Sequence, residues 1–317
     1  MQADIAHPQR LAHDDCIAPA ASNLCAVIVT YFPDALFKDR LDQIRSQVCK
    51  TIVVDNTGKA SASTVLQGQD GDDLEIIVNR ENLGIAGALN QGVSRAIELG
   101  YSWAITFDQD TWVHGDLVKT LIGIYLQQME PETVGIIGCN FEDENIGRCP
   151  NESRTEKGTF FETETVITSG SMMAASVFRT AGPFRSDFFI DFVDNEYCLR
   201  LRRLGYRILT STAPLMRHAL GAATTDFRVG SMTLRRSNRS ALRRYYMTRN
   251  ALLVARDYIS VAPTWVLKSL VGVLVLAVLK IPLERDSRWK KFRATFYGLF
   301  DAIRSRTGEA EASWLRD

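Results

Sequence analysis

Between residues 24 and 128, short apolar runs rich in β-branched residues alternate with stretches of helical spacing, and this alternation constrains the fold most. Residues 24–30 (LCAVIVT) read as a buried strand. Residues 34–48 then place Leu36, Leu41, Ile44 and Val48 at helical spacing. A second strand over 51–54 stops at the turn Asp55-Asn56-Thr57-Gly58. The pattern next predicts a strand over 74–78, a helix over 85–99, a strand over 103–107 and a helix over 118–128. Such alternation implies a mostly parallel α/β sheet with helices on both faces. Ligands of such sheets bind beyond the carboxyl ends of the strands. Three polar clusters fall there: Asp55 to Gly58, Asn79 to Gly84, and Asp108 to Asp110.

Downstream the pattern is less regular. Residues 140–165 read as a loop or hairpin and 166–175 as an apolar strand around Ser169-Gly170-Ser171. Asp191, Asp194 and Glu196 open a helix that closes in arginines and Gly205, as the helix dipole and C-cap preferences favour. A strand over 206–209 follows, and the basic, aromatic stretch 234–260 reads as helical.

The 317 residues include 37 basic and 37 acidic side chains, so no global basic excess argues for nucleic acid. Six cysteines (Cys16, Cys25, Cys49, Cys139, Cys149, Cys198) form no CxxC pair and read as thiols in a reducing compartment. The N-terminal MQADIAHPQRLAHDDC has no apolar core, so it is no secretory signal, and residues 1–22 read as a poorly ordered leader. The apolar stretch 265–283 holds only 11 uninterrupted residues between Lys268 and Lys280. A spanning helix needs about 20, so a buried or interfacial helix is expected.

Several polar groups could carry chemistry, each with a plainer alternative. Asp108 and Asp110 flank Gln109 at a strand end. They could converge on a divalent cation and phosphates, or simply form a polar turn. Asp55 could accept hydrogen bonds from a nucleobase or ribose, or be a turn aspartate. In the run Asn79 to Gly87, Arg80 could reach a phosphate, and the helix N-terminus could favour an anion. The alternative there is an asparagine-capped helix with packing glycines. Asp191, Asp194 and Glu196 offer a general base, or only dipole compensation. His218 could ligate a metal or contact a phosphate, though a lone histidine is more often structural.

Taken together, VIVTYFPD (27–34), VVDNTG (53–58), NRENLGIAGALNQG (79–92), FDQD (107–110), SGSMMAASVFRTAGPF (169–184), DFVDNEYCLRLRRLGYRI (191–208), His218 and YYMTRN (245–250) resemble the GT-A inverting glycosyltransferases of family 2. The narrower similarity is to the bacterial rhamnosyltransferase-like branch, over about residues 24–260. The resemblance implies a Rossmann-like GT-A domain over 23–260, and residues 261–317 read as a C-terminal helical segment whose composition suits membrane association. It implies donor contacts from Thr30, Asp55 (to the nucleobase), Arg80, Asn82, Gly84 and Asp108. It also implies Mg²⁺ or Mn²⁺ on Asp110 and His218, and Asp194 as catalytic base. Val193 stands where many relatives carry an acid, so Asp191 and Glu196 remain alternatives for the base.

The implied reaction moves a sugar, L-rhamnose from dTDP-rhamnose, to a hydroxyl of a lipid-linked or cell-surface glycan such as lipopolysaccharide O-antigen. The cation would stabilise the diphosphate leaving group and a carboxylate would take the acceptor proton. Residues 284–300 interleave basic and aromatic side chains, which suits a helix on anionic lipid. A cytoplasmic enzyme, peripheral on the inner face of the membrane, is therefore expected, and oligomerisation stays open. Hexosyl or galactofuranosyl transfer, or nucleotide-sugar binding without catalysis, are the competing expectations. A nucleotidylyltransferase would want a glycine-rich basic loop where Thr30-Tyr31-Phe32-Pro33-Asp34 stands.

Overall fold

A strand covered on both faces reads as an unbroken apolar run, and Leu24–Thr30 (β1) is buried at every position. It pairs in parallel with Lys50–Asp55 (β2), which pairs in parallel with Leu74–Val78 (β3). On its other side β1 pairs in parallel with Trp103–Asp108 (β4). The computed structural model describes residues 17–58, 71–144, 147, 149, 158–218, 224–229, 232–237, 239–283 and 287–315. Trp112–Val113 (β5), Val134–Asp143 (β6), Phe160–Glu162 (β7), Ser171–Ala174 (β8) and Arg207–His218 (β9) complete the sheet. Eight strands run in the order β3-β2-β1-β4-β8-β6-β9-β5, and β7 pairs with β9. Only β5, β7 and β8 run against their neighbours. Thr224–Val229 (β10) and Met232–Ser237 (β11) form a separate antiparallel pair.

Helices Phe37–Arg45 (α1), Gly84–Glu98 (α2), Leu117–Leu126 (α3), Ala175–Ala181 (α4) and Val193–Arg203 (α5) bury apolar faces in one continuous core. Helix α2 lies unusually close to β1 and β2. A Cβ on Gly92 would sit 2.3 Å from Val27 Cγ1 and 3.2 Å from Val54 Cγ2, so only glycine permits this approach. Ala241–Tyr258 (α6) is capped by Ser240, whose side chain accepts from the Arg243 N–H. Pro263–Val275 (α7) continues through a π-helical turn, Leu276–Lys280, into Ile281–Leu283 (α8), and Arg288–Ile303 (α9) packs back on α6. No helix among the described residues is long and apolar enough to cross a membrane.

The expected strands and helices before residue 130 stand within two or three residues of their observed limits. Four downstream expectations change. The strand expected over 166–175 is only β8, because Gly170 turns the chain at φ +70° and Ala175 already starts α4. The irregular stretch begins later than residue 140, because β6 runs on to Asp143 beside β9. For the same reason the strand expected over 206–209 and the strand-like apolar run 208–215 form one strand, β9, which continues to His218. Residues 234–237 are strand, and the helix starts only at Ala241. Of the expected leader, residues 1–16 lie outside the described residues, whereas the Ile17 carbonyl accepts a hydrogen bond from Trp103 Nε1 (2.8 Å). The described cysteines are free thiols, with Cys25, Cys139 and Cys198 buried; Cys16 lies outside the described residues.

Candidate active site

Parallel register decides which side chains share the sheet edge. Thr30 is level with Asp55, and Val29 with Asp108, so the carboxyl ends of β1, β2 and β4 present these groups together. A cavity of about 730 Å³ opens there. Asp110 follows in the turn after β4, and His218, the last residue of β9, arrives from across the sheet. His218 Nε2 is 3.8 Å from Asp108, and its Nδ1 is 3.3 Å from Asp110. One ligand atom from each of the three residues falls within 4.8 Å of the others. Thr111, fully buried, bridges Ser169 (2.7 Å) and His218 Nδ1 (3.3 Å), and so fixes the ring.

The charges in this cluster are strongly coupled. Burial raises the carboxyl of Asp108 above its usual range, against the pull of His218. Burial also opposes ionisation of Asp110, but the adjacent His218 outweighs it and holds the carboxyl low. Burial works against a charged His218 as well, and the carboxylates of Asp110 and Asp108 reverse this and raise it. Asp110 Oδ1 is buried and makes the 3.3 Å ion-pair contact with His218 Nδ1, but no well-aligned hydrogen bond among the described residues. Two carboxylates and an imidazole whose ligand atoms converge within 4.8 Å fit a divalent cation such as Mg²⁺ or Mn²⁺.

The opposite wall is the segment from Asp187 to the start of α5. Phe189, Asp191 and Phe192 all have φ between 62° and 65°. Non-glycine residues held there cost on the order of 1–3 kcal/mol each, so surrounding contacts must impose the shape. The three acidic candidates separate clearly. Glu196 is 2 % exposed and committed to Arg200 (2.6 Å) and the Tyr258 hydroxyl (2.6 Å). Asp191 is gripped by Arg243 (2.6 and 3.2 Å) with Arg239 at 3.7 Å. Asp194 lines the cavity, accepts the N–H of Asn195 (2.8 Å), and has no cationic partner among the described residues. Burial pushes its carboxyl up to about 6; the Asn195 N–H pulls the other way, and the charges of Asp191 and Asp108 add to the rise.

At the other end of the cavity are Thr30, Tyr31, Asn56, Asn82 and Gly84. Asn56 donates to Asn82 (2.7 Å) and accepts from Asn79 (3.1 Å) and the Leu83 N–H (3.0 Å), so three amides shape this rim. Gln109 exchanges two hydrogen bonds with the backbone of Tyr31. The α2 N-terminus is no free anion site: Asn82 caps Gly84, and the Phe189 carbonyl accepts from Ile85 (2.9 Å). Gly84, at φ +73°, is needed for that contact, since a Cβ there would lie 2.5 Å from the Phe189 oxygen.

Six of the expected site residues therefore line one cavity with Asp194: Thr30, Asn82, Gly84, Asp108, Asp110 and His218. Two expected donor contacts do not line it. Asp55 is fully buried, and its carboxylate accepts from Thr30 (3.2 Å) and Thr57 (2.6 Å). Arg80 is exposed outside the cavity. The sequence reading missed Asn56, Arg239, Arg243 and Met247, which also line it. Only the basic character of the 234–260 stretch pointed toward the two arginines.

A sheet of this topology, flanked by helices, has the fold of the GT-A glycosyltransferases. The sequence profile described as Glycosyl transferase family 2 matches residues 25–181. The chain is 34 % identical over 250 residues to the dTDP-rhamnosyl transferase RfbF of Shigella flexneri, covering 74 % of this chain and 80 % of that one. It is 22 % identical to the low-salt glycan biosynthesis hexosyltransferase Agl10 of Haloferax volcanii, over 91 % of this chain and 94 % of that protein. Among solved structures, the mannosyltransferase PcManGT from Pyrobaculum calidifontis, in complex with GDP-Man and Mn²⁺, superposes with a TM-score of 0.55 at 16 % identity. That match covers 98 % of this chain and 82 % of the other. The chain belongs to glycosyltransferase family 2 and is a glycosyltransferase with a rhamnosyltransferase relative.

The raised carboxyl of Asp194 makes a prediction about stability. Its folded value near 6 lies above the unfolded value of about 3.9, so the folded state holds this proton more tightly. Its ionisation therefore destabilises the fold as pH rises from about 4 to above 6, by about 2 kcal/mol after allowing for residual exposure. Asp194→Asn removes that penalty. Its melting temperature relative to the parent should be higher at pH 8 than at pH 4; parallel curves at the two pH values would exclude a buried, raised Asp194.

Proposed function

We propose that this chain is an inverting rhamnosyltransferase that uses dTDP-rhamnose and a divalent cation to glycosylate a hydroxyl of a lipid-linked or cell-surface glycan. The observation that carries the reading is the pairing in one cavity of the Asp108–Asp110–His218 cluster with Asp194, an acid without a cationic partner among the described residues. The rhamnose assignment draws on the dTDP-rhamnosyl transferase relative.

In this reading Asp110 and His218 would hold the cation, and Asp108, beside them, would contact the donor. When bound, Mg²⁺ or Mn²⁺ supplies charge stabilisation to the departing nucleoside diphosphate. Thr30, Asn82 and Gly84 shape the nucleotide end, and Asp55 acts at one remove by fixing Thr30 and Thr57. Asp194 takes the proton of the acceptor hydroxyl as it attacks the anomeric carbon. A carboxyl near pH 6 is deprotonated at neutral pH yet remains basic enough to act. One displacement inverts the anomeric carbon and needs no covalent enzyme intermediate.

The donor is tested by nucleotide release from a panel of nucleotide sugars with Mg²⁺ or Mn²⁺ and with EDTA. The expected result is cation-dependent release from dTDP-rhamnose that falls at least 10²-fold in Asp194→Asn. Preferential release from another donor would remove the rhamnose assignment while leaving the class intact. Retained anomeric configuration in the product, read by NMR, would contradict the single displacement.

We also place the enzyme at the inner face of the membrane, on its C-terminal helices. Leu267 and Leu274 on α7, and Trp289, Phe296 and Ile303 on α9, are 62–86 % exposed. Arg288, Lys290 and Arg293 adjoin the second group. Apolar side chains beside cations suit an anionic lipid surface. The protein should co-float with vesicles containing anionic lipid, and Trp289→Ala/Phe296→Ala should weaken this several-fold. Equal recovery with neutral vesicles, or no effect of the double change, would contradict this placement.

A further inference from the structure

The left-handed backbone before α5 has an explicit support that lies outside the cavity. Arg249 and Asn250, adjacent on α6, are both 0 % exposed. The Asn250 amide nitrogen donates to three carbonyls of this segment: Phe188 (3.0 Å), Ile190 (2.9 Å) and Asp191 (2.9 Å). Its oxygen accepts from Arg249 Nε (2.9 Å), which fixes the amide orientation. Arg249 then reaches the carbonyls of Asp187 (3.1 Å) and Phe188 (3.2 Å) through one terminal nitrogen. The other donates to the carbonyl of Gly308 (2.7 Å), whose own N–H donates to Asp187 (2.6 Å). Phe189 stacks on Tyr246 of the same helix, with ring centroids 5.4 Å apart.

We propose that Arg249 and Asn250 are positioning residues for glycosyl transfer, clamping residues 187–191 so that Asp194 is delivered into the cavity. The proposal rests on Asp194 being the base. The clamped carbonyls end at Asp191, three residues before Asp194. The bends at Phe189, Asp191 and Phe192 set the direction from which α5 leaves. Without the donors, these carbonyls would be buried unpaired and the segment would relax toward φ values that L-residues prefer. Asp194 would then move relative to the cation cluster, although neither clamp residue lines the cavity. Binding of nucleotide and cation should survive, because Asp108, Asp110, His218 and the Asn56–Asn82 rim sit on other elements. The contact to Gly308 also ties the clamp to the C-terminal tail beyond α9.

The test uses the full chain carrying Asn250→Asp, which keeps the size but turns the donating nitrogen into an acceptor facing three carbonyls. Arg249→Lys is measured in parallel and decides the matter if the first variant does not fold. The expected result is a fall in kcat of about 10²-fold, with dTDP affinity in Mn²⁺ changed by less than about threefold. Amides 187–194 should exchange with deuterium faster, while those of β1, β2 and β4 remain protected. Unchanged kcat, unchanged exchange in 187–194, or parallel losses of kcat and dTDP binding would overturn the clamp. Asp194→Asn is run alongside. Full activity in that variant would remove the base assignment, whereas the exchange data would still report on the clamp itself.

Discussion

The parallel pairing of β1 with β2 and β4 is the constraint on which the site depends. A residue's place along a parallel ladder fixes its height, so Thr30, Asp55 and Asp108 reach the same edge. The close seating of α2 at Gly92 holds these strands from behind, and its first turn at Gly84 meets the Phe189 backbone in front. One helix thus sets the distance between the sheet edge and the segment that carries Asp194. Gly84 and Gly92 are geometric requirements, and no phosphate need be invoked to explain them.

The second organising principle is selective neutralisation. Several acids crowd this end of the sheet, and like charges at such distances repel unless each finds a partner. Glu196 has Arg200, and Asp191 has Arg243 and Arg239. Asp108 and Asp110 share a single imidazole, at 3.8 and 3.3 Å. Asp194 has backbone amide contact but no cation among the described residues. What is left over is a carboxylate pair short of one cation and, beside it, an acid with a raised proton affinity. A divalent ion on the first and a hydroxyl proton on the second would complete both.

The first half of the fold was legible because β1, β2 and β4 are buried on both faces and read as unbroken apolar runs. Val134–Asp143 escaped notice because Gly135 and Gly138 interrupt the run and its last residues are polar. Those residues become strand only through pairing with β9. The carboxylate cluster was half legible: Asp108 and Asp110 are neighbours in sequence, whereas His218 lies 107 residues beyond Thr111, its hydrogen-bond partner. Composition could not separate Asp191, Asp194 and Glu196: the partner of Glu196, Arg200, lies one turn along the same helix, whereas Arg239 and Arg243, which hold Asp191, are brought near only by folding. The burial of Asp55 beneath Thr30 and Thr57 is likewise a tertiary fact, invisible in the turn signal around it.

If the strand-end acids and His218 form one cation site that the nucleotide completes, Mn²⁺ and dTDP must strengthen each other's binding, since such coupling is reciprocal. Titration of free Mn²⁺ by electron paramagnetic resonance, with and without dTDP, measures this directly. The account predicts one bound Mn²⁺ per chain, held at least tenfold more tightly with dTDP, and loss of that gain in both Asp110→Asn and His218→Ala. Mn²⁺ binding that ignores dTDP, or survives unchanged in both variants, would contradict it.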